Sequence, residues 1–172
     1  AQGVIGGTVV VMEHFDPEEF LRQIEQRGVT ATQVVPTMFV RMLKLPDEVR
    51  ARYDVGSLRS VVHAAAPCPP PIKRAMIEWW GPVINEYYGS TEVGSVTFCT
   101  AAEWLAHPGT VGKAMPGADV KVIDADGNSL PAGEIGEVVA KFPGIADFTY
   151  HKDHAKRVAS EKAGLIAPGD VG

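Results

Sequence analysis

The residues with the clearest chemical potential lie in the segment from Glu86 to Gly94, EYYGSTEVG. It places aromatic rings, a glycine, hydroxyl groups and a carboxylate in direct succession after an apolar run. Glycine permits close approach of the backbone, serine and threonine hydroxyls can donate hydrogen bonds to phosphate oxygens, and a glutamate can hold the Mg²⁺ that accompanies a triphosphate. The segment therefore predicts a nucleotide-phosphate loop.

The elements before this segment alternate between strands and helices. Asp16 is expected to cap the first helix and Gly28 to end it. Apolar and β-branched runs predict strands, and the segments between them predict helices. The predicted strands cover residues 8–12, 30–35, 58–63 and 83–87, and the predicted helices cover residues 17–27, 38–43 and 71–80. This alternation predicts an α/β fold with a mostly parallel sheet flanked by helices.

Three of the predicted strands end next to segments with binding potential. Parallel strands bring their carboxyl ends to one edge of a sheet, and ligands bind outside that edge. The segments are Pro36-Thr37, His63 to Pro67 and Tyr88 to Glu92. We therefore expect these three segments to lie on the same edge.

The second part of the chain has a different pattern. Short alternating runs at 119–124 and 134–142, separated by the turn 125–128, predict an antiparallel hairpin in a sheet or partial barrel. A helix capped by Asp153 is predicted to extend to about Lys162. We therefore predict an α/β subdomain over residues 1–105 and a β-rich subdomain over residues 106–172.

Composition limits the functional classes. The 172 residues carry a formal net charge of −5 and show no cluster of lysine and arginine, so nucleic-acid binding is not expected. No apolar run reaches the length of a membrane span, and no signal-peptide pattern is present, so we expect a cytoplasmic protein. Cys68 and Cys99 lack the spacing of a metal motif and are expected to be reduced thiols. The first residue, Ala1, and the final turn-like Gly-Asp-Val-Gly predict an internal piece of a longer chain.

Several short motifs together resemble the adenylate-forming superfamily, which includes acyl-CoA synthetases, firefly luciferase and the adenylation domains of peptide synthetases. Tyr88 to Glu92 resembles its YGxTE signature, and the resemblance extends over essentially the whole chain because the other motifs follow in the family's order. They are Val35-Pro36-Thr37, Ala64 to Pro67, His107 to Gly112, Gly133 to Val138, and Gly169-Asp170.

The resemblance implies that ATP and Mg²⁺ activate a small-molecule carboxylic acid, and that coenzyme A then accepts the acyl group. It implies that Tyr88 stacks on adenine, Thr91 contacts the α-phosphate, Glu92 holds Mg²⁺ and Asp170 binds the ribose. Thr91 and Glu92 are thus the candidate catalytic residues. The whole predicted nucleotide set is Ala65, Ala66, Pro67, Glu86, Tyr87, Tyr88, Gly89, Ser90, Thr91 and Asp170.

The acid substrate is predicted to be a fatty acid, with an aromatic acid as the alternative. The residues predicted to line the acyl pocket are Val35, Thr37, Phe39, His63 and Ala64. Ala64 stands where the family usually has glycine, and its methyl group is expected to narrow the acyl channel. Ile166-Ala167-Pro168 replaces the family's usual residues before Asp170. Lys113, Lys121, Lys152 and Lys156 do not match the motif of the family's catalytic lysine.

Other interpretations remain open. The chain could come from a peptide-synthetase adenylation domain, although Gly133 to Val138 followed by Lys141 to Gly144 is more typical of acyl-CoA ligases. It could also be a non-catalytic nucleotide- or acyl-binding module of the same fold. Locally, Tyr88 could be an ordinary strand-end aromatic, Thr91 and Glu92 could cap a following helix, and Asp170 could be a turn residue. We expect this segment alone to lack ligase activity.

Overall fold

A computed structural model describes residues 6–172 and contains two sheets. The first sheet has the order β1-β2-β3-β4-β5, and the second has the order β6-β7-β9-β8. The strands are β1 (Ala31–Val34), β2 (Ser60–His63), β3 (Ile84–Ser90), β4 (Gly94–Cys99), β5 (Lys113–Ala114), β6 (Asp119–Ile123), β7 (Glu137–Lys141), β8 (Glu161–Lys162) and β9 (Leu165–Ile166). The helices are α1 (Pro17–Arg27), α2 (Pro36–Leu43), α3 (Asp47–Arg50), α4 (Pro70–Trp80), α5 (Ala101–Ala106) and α6 (His154–Ala159).

The first sheet is mixed, with helices packed against it, which confirms the predicted fold class. β1, β2 and β3 run parallel, whereas β4 and β5 continue the sheet antiparallel. The register places Val34 beside His63 and His63 beside Glu86, so the three parallel strands end at one edge. This register confirms the prediction that the segments following β1, β2 and β3 lie on the same edge of the sheet.

Local sequence signals account for the first helix. The Asp16 carboxylate accepts a hydrogen bond from the Glu19 amide at 2.8 Å, and Pro17 occupies the first turn, where its missing amide proton costs nothing. Gly28 ends the helix with φ of 57°, a conformation that glycine adopts without a steric penalty. Leu21 and Ile24 form the buried side of this helix.

The core of the first sheet lies between its strands and the helices. Val34, Val61 and Ile84 point from adjacent strands into the layer that also holds Phe39 of α2 and Met76 of α4. The side chains of Gln33 and Tyr87 do not belong to this core, and the Gln33 amide donates a hydrogen bond to the Tyr87 hydroxyl at 3.0 Å. The apolar residues of α1, α2, α4 and α5 share one cluster with these strands.

One predicted strand is wrong. Residues 8–12 form no ladder with any strand of the described chain, and Val9 and Val11 are 59% and 84% exposed. A β-branched run gains strand structure only by pairing its backbone with a neighbour, and no described strand pairs with this run. No helix within residues 6–172 has both the length and the apolar character needed to cross a membrane.

The boundaries of other elements also differ from the predictions. Helix α2 begins at Pro36 instead of Met38, because a proline at the first helical position has the required φ and needs no donor. Helix α5 and strand β4 were not predicted; Thr100 and Glu103 cap α5 reciprocally through a capping box. Strands β6 and β7 pair antiparallel, which confirms the predicted hairpin. Helix α6 is capped by Asp153 as predicted but ends at Ala159, because residues 161–162 pair with β9.

The central strand β3 generates a test of the core. Ile84 is fully buried, and truncation to alanine removes its packing against the helices, so I84A is expected to lower the free energy of unfolding by about 2–5 kcal/mol. The matched control is I135A, the same deletion at a side chain that is 81% exposed, with an expected change within about 0.5 kcal/mol. Urea denaturation of both variants measures the difference. Equal losses would contradict this description of the core.

Candidate functional site

The segment from Tyr88 to Glu92 is the tip of a hairpin, whereas the sequence predicted that the strand ends at residue 87 and that a loop follows. Strand β3 continues through Ser90, residues 91–93 form the turn, and β4 returns antiparallel. The alternative in which Thr91 and Glu92 cap a following helix is therefore wrong. The register shifts between Tyr88 and Gly89, and such a bulge reorients the side chains that follow it.

Gly89 is required by the close approach of the two hairpin strands. A Cβ atom at this position would lie 1.9 Å from the carbonyl oxygen of Gly94. No side chain fits there, so the glycine of the motif has a steric role in the hairpin. Its proposed contact with nucleotide stays a prediction.

Tyr88 lies where the two sheets meet. Its ring packs against a small apolar cluster that includes Val96 of β4 and Ala140 of β7. Its hydroxyl donates a hydrogen bond to Oδ2 of Asp170 at 2.7 Å. Burial, and then the bond to Asp170, raise the pKa of Tyr88 above its ordinary value. Two predicted nucleotide residues that are 82 positions apart in the sequence are therefore in direct contact.

Asp170 is held in place by backbone pairing. Its carbonyl oxygen accepts a hydrogen bond from the Val138 amide at 2.9 Å, and the next residue, Val171, forms an antiparallel bridge with Glu137. The Asp170 residue itself is exposed. One carboxylate oxygen, Oδ2, is bonded to the Tyr88 hydroxyl, and no side-chain hydrogen bond to Oδ1 is found among the described residues.

Glu92 lies half-buried in the hairpin turn. Its amide donates a hydrogen bond to the Ser90 hydroxyl oxygen at 3.2 Å, and Oε1 accepts a hydrogen bond from the Tyr150 hydroxyl at 2.9 Å. Hydrogen bonding from Ser90, and then from its own backbone and from Tyr150, lowers the pKa of Glu92, and Lys156 adds to the effect. Glu92 is therefore a carboxylate at neutral pH. Tyr150 was missed by the sequence analysis, because nothing in its local sequence relates it to a residue 58 positions earlier.

The fit of Mg²⁺ to Glu92 follows from its donor set. No group of three or more histidine, cysteine, aspartate or glutamate side chains capable of holding a metal occurs within residues 6–172. Mg²⁺ commonly binds through one or two carboxylates together with substrate phosphates and water. A single half-buried carboxylate with one oxygen held by a tyrosine fits that mode.

The turn after β2 carries backbone strain. Ala65 has φ of 75°, a left-handed conformation that alanine adopts only when the surroundings impose it. Ala65, Ala66 and Pro67 are exposed, whereas Ala64 is buried. The strained position is thus Ala65. It follows Ala64, the residue that the sequence analysis noted in place of the family's usual glycine. Exposed, strained backbone at the carboxyl edge of the sheet is typical of ligand sites.

The five predicted acyl-pocket residues divide into two groups. Val35 and Thr37 are exposed near the sheet edge, whereas Phe39, His63 and Ala64 are buried. The Phe39 and His63 rings meet edge to face with centroids 5.6 Å apart. Phe39 and His63 are therefore in contact, and the His63 side chain is fully buried.

Glu86 and Tyr87 point to different sides of the sheet. The Glu86 side chain is buried and accepts a hydrogen bond from Lys73 of α4, whereas the Tyr87 hydroxyl is bonded to Gln33. Lys73 was missed by the sequence analysis. The helical spacing could have revealed that Lys73 is buried. It lies on the buried face of α4 together with Met76, Ile77 and Trp80 at positions i+3, i+4 and i+7.

The chain is similar in sequence to known proteins. A family profile described as "AMP-binding enzyme" matches residues 4–148. The chain is 35% identical over 175 residues to a 4-coumarate–CoA ligase-like protein of Oryza sativa subsp. japonica, covering 96% of this chain and 31% of that protein. It is 33% identical over 169 residues to a medium/long-chain-fatty-acid–CoA ligase of Mycobacterium tuberculosis, covering 96% of this chain and 29% of the ligase.

A solved structure is also similar over almost the whole chain. The amide bond synthetase of Marinactinospora thermotolerans superimposes with a TM-score of 0.86 at 30% identity, covering 96% of this chain and 34% of the synthetase. The chain thus spans about a third of the length of the proteins it matches.

The close approach at Gly89 gives a direct test of the hairpin. G89A is expected to lower the free energy of unfolding by more than about 2 kcal/mol, because its new methyl group overlaps a backbone carbonyl. The control is G127A, where a Cβ meets nothing within 4 Å and the cost, about 1–2 kcal/mol, comes only from its positive φ. Chemical denaturation compares them. If G89A loses less free energy of unfolding than G127A, strands β3 and β4 do not approach each other this closely at Gly89.

The buried histidine predicts a pH dependence. Burial, and then the charge of Lys73, lower the pKa of His63 from 6.5 to about 3. The unfolded chain therefore binds a proton at this residue between about pH 6.5 and pH 3, whereas the folded protein does not. The free energy of unfolding falls as pH is lowered through this window, and H63L is expected to reduce that fall. Denaturation of both proteins at several pH values measures the slopes, and parallel curves would rule out His63 as a contributor.

Proposed function

Because the chain belongs to the AMP-binding enzyme family, we propose that it is the central part of an ATP-dependent ligase that activates a carboxylic acid as an acyl-adenylate. The observation that carries the proposal is the 2.7 Å hydrogen bond between Tyr88 and Asp170. This bond brings together the Tyr88 ring, which can stack on a base, and the Asp170 carboxylate, which can bind a ribose. The two residues belong to motifs 82 positions apart in the sequence. The cytoplasm is the compartment we propose.

The proposed nucleotide position follows from these side chains. The adenine lies between the Tyr88 ring and the exposed turn formed by Ala65 to Pro67, which offers backbone groups. The free carboxylate oxygen of Asp170 accepts hydrogen bonds from the ribose hydroxyls. Thr91 is exposed at the hairpin tip, so its hydroxyl can donate to an α-phosphate oxygen. Glu92 would hold Mg²⁺, which neutralises phosphate charge when bound.

The proposed chemistry requires positioning instead of a protein nucleophile. A carboxylate oxygen of the acid attacks the α-phosphorus, a new P–O bond forms, and the bond to the β-phosphate breaks with departure of pyrophosphate. The thiolate of coenzyme A then attacks the acyl carbon and AMP leaves. Such steps depend on alignment of the reacting atoms and on fixed donors near the developing charge. Tyr150 and Ser90 fix Glu92, and Tyr88 fixes Asp170, before any ligand binds.

The proposed acid is a fatty acid. The similarity to a medium/long-chain-fatty-acid–CoA ligase supports this choice, and the similarity to a 4-coumarate–CoA ligase-like protein supports an aromatic acid as the alternative. The predicted acyl-pocket residues Val35, Phe39 and Ala64 are apolar and fit either class. Thr37 and His63 are the polar members of that set.

A second candidate differs in the acceptor. The match to an amide bond synthetase favours an amine as the group that takes the acyl chain from the adenylate. Both candidates share the first half-reaction, so ATP–pyrophosphate exchange measures what they have in common. Product analysis with coenzyme A and with a primary amine then separates them.

The test uses the complete enzyme that carries this chain. ATP–pyrophosphate exchange is measured with acetate, decanoate, palmitate and 4-coumarate, and acyl-adenosine sulfamoyl analogues of graded chain length are compared by thermal shift. We expect exchange and the largest shift with a fatty acid. Exchange with none of the acids, and no shift with any analogue, would contradict the proposed function and favour a non-catalytic binding module.

Glu92 supplies the prediction for the metal carboxylate. E92Q keeps the shape of the side chain and its hydrogen bonds but removes its charge, so exchange is expected to fall about a hundredfold or more. The matched control is E134Q, an exposed glutamate of the second part of the chain, which is expected to keep the wild-type rate. Rates are measured across a Mg²⁺ titration. An E92Q enzyme that matches E134Q at every Mg²⁺ concentration would remove Glu92 from this role.

A further inference from the structure

A charged pair lies inside the core of the first sheet. The Lys73 Nζ atom donates a hydrogen bond to Oε2 of Glu86 at 2.5 Å, and the two residues are 0% and 6% exposed. Lysine and glutamate are almost never buried so completely unless they are paired. The pair joins the first turn of α4 to β3.

The surroundings of the pair are aromatic, sulfur-containing or uncharged. The Lys73 ammonium lies 5.1 Å from the centre of the Trp104 ring, and Cys99 stands beside Glu86 in the β3–β4 register. His63 Nε2 is 3.4 Å from the same glutamate oxygen, and burial lowers the pKa of His63 to about 3, so it is neutral at physiological pH. The cluster therefore contains one positive and one negative charge.

Stability alone does not explain such a pair. Removing two charges from water costs about as much as their attraction returns, and apolar residues of similar volume are often equally or more stabilising. What a buried pair adds is a directional contact that apolar residues do not provide. The elements that it joins therefore indicate its role.

Those elements carry the two proposed walls of the adenine site. Helix α4 begins three residues after Pro67, at the end of the exposed turn that contains the strained Ala65. Strand β3 carries Tyr88 two residues beyond Glu86. The Lys73–Glu86 bond therefore fixes the separation of the turn and the tyrosine ring.

We propose that Lys73 is a positioning residue that sets the width of the adenine slot by holding Glu86, and with it β3, against α4. This inference rests on the proposed function. Lys73 does not touch the nucleotide, and it acts through the backbone geometry of the two elements. Loss of the bond affects ATP binding more than binding of the acid, because the proposed adenine slot lies between the turn that precedes α4 and strand β3.

The first test is K73M, which keeps the length of the side chain and removes its charge. In the complete enzyme, KM for ATP is expected to rise about tenfold, while kcat and KM for the acid each stay within about threefold of the wild-type values. The control is M76A, a truncation at a buried residue on the same helix. M76A lowers thermal stability but leaves the pair intact, so its KM for ATP is expected to stay at the wild-type value.

The second test is the double variant K73M/E86M. Replacing both charges by apolar groups of similar volume removes the unpaired buried carboxylate, so the melting temperature is expected to recover relative to K73M. The raised KM for ATP is expected to persist, because no directional bond is restored. Recovery of KM together with stability, or an equal rise of KM in M76A, would overturn the proposal and leave the pair a structural role only.

Failure of this inference is separable from failure of the proposed function. If the wild-type enzyme shows no exchange with any acid, the ligase proposal fails, and AMP binding by calorimetry then tests the slot directly. Weaker AMP binding in K73M than in M76A supports the inference in that case. Equal AMP affinity in wild type, K73M and M76A would overturn it.

Discussion

The hydrogen-bonded ion pair between Lys73 and Glu86 is the contact around which the first part of the molecule is arranged. A charge in an apolar layer is costly unless a partner meets it with good geometry, so the two side chains restrict how α4 can lie on β3. The parallel register then places His63 of β2 beside Glu86. Core packing of Met76, Ile77 and Trp80 continues the same helix face. Strand β3 is therefore held by α4 on one face and by β2 along one edge.

The same strand connects two cores. Ile84 and Glu86 lie in the layer covered by the helices, whereas Tyr88 packs into the cluster that includes Val96 of β4 and Ala140 of β7. A residue at this junction can be held by contacts from both sheets, and the Asp170 carboxylate supplies one of them. Sites at the meeting of two packed units commonly bind small molecules, because both units contribute walls.

The candidate site is organised before a ligand arrives. Tyr88 is bonded to Asp170, and Glu92 is bonded to Tyr150 and Ser90, so the polar groups that would face a nucleotide have defined positions. Fixed groups lose less freedom on binding, and this is the main energetic advantage of such a site. The strained backbone at Ala65 has the same character, since the surrounding fold holds a conformation that alanine disfavours.

Features that depend on neighbouring residues follow from the amino-acid sequence alone. Asp16 and Gly28 fix the ends of α1, the alternating runs fix the β6–β7 hairpin, and the ordered motifs indicate the family. The end of β3 could not be predicted from the sequence, because its pairing with β4 depends on a close approach of the two backbones at Gly89 and Gly94. Likewise, residues 8–12 have strand propensity but no partner. The partners of Glu86, Glu92 and Asp170 lie 13, 58 and 82 positions away, and no local pattern encodes contacts at such separations.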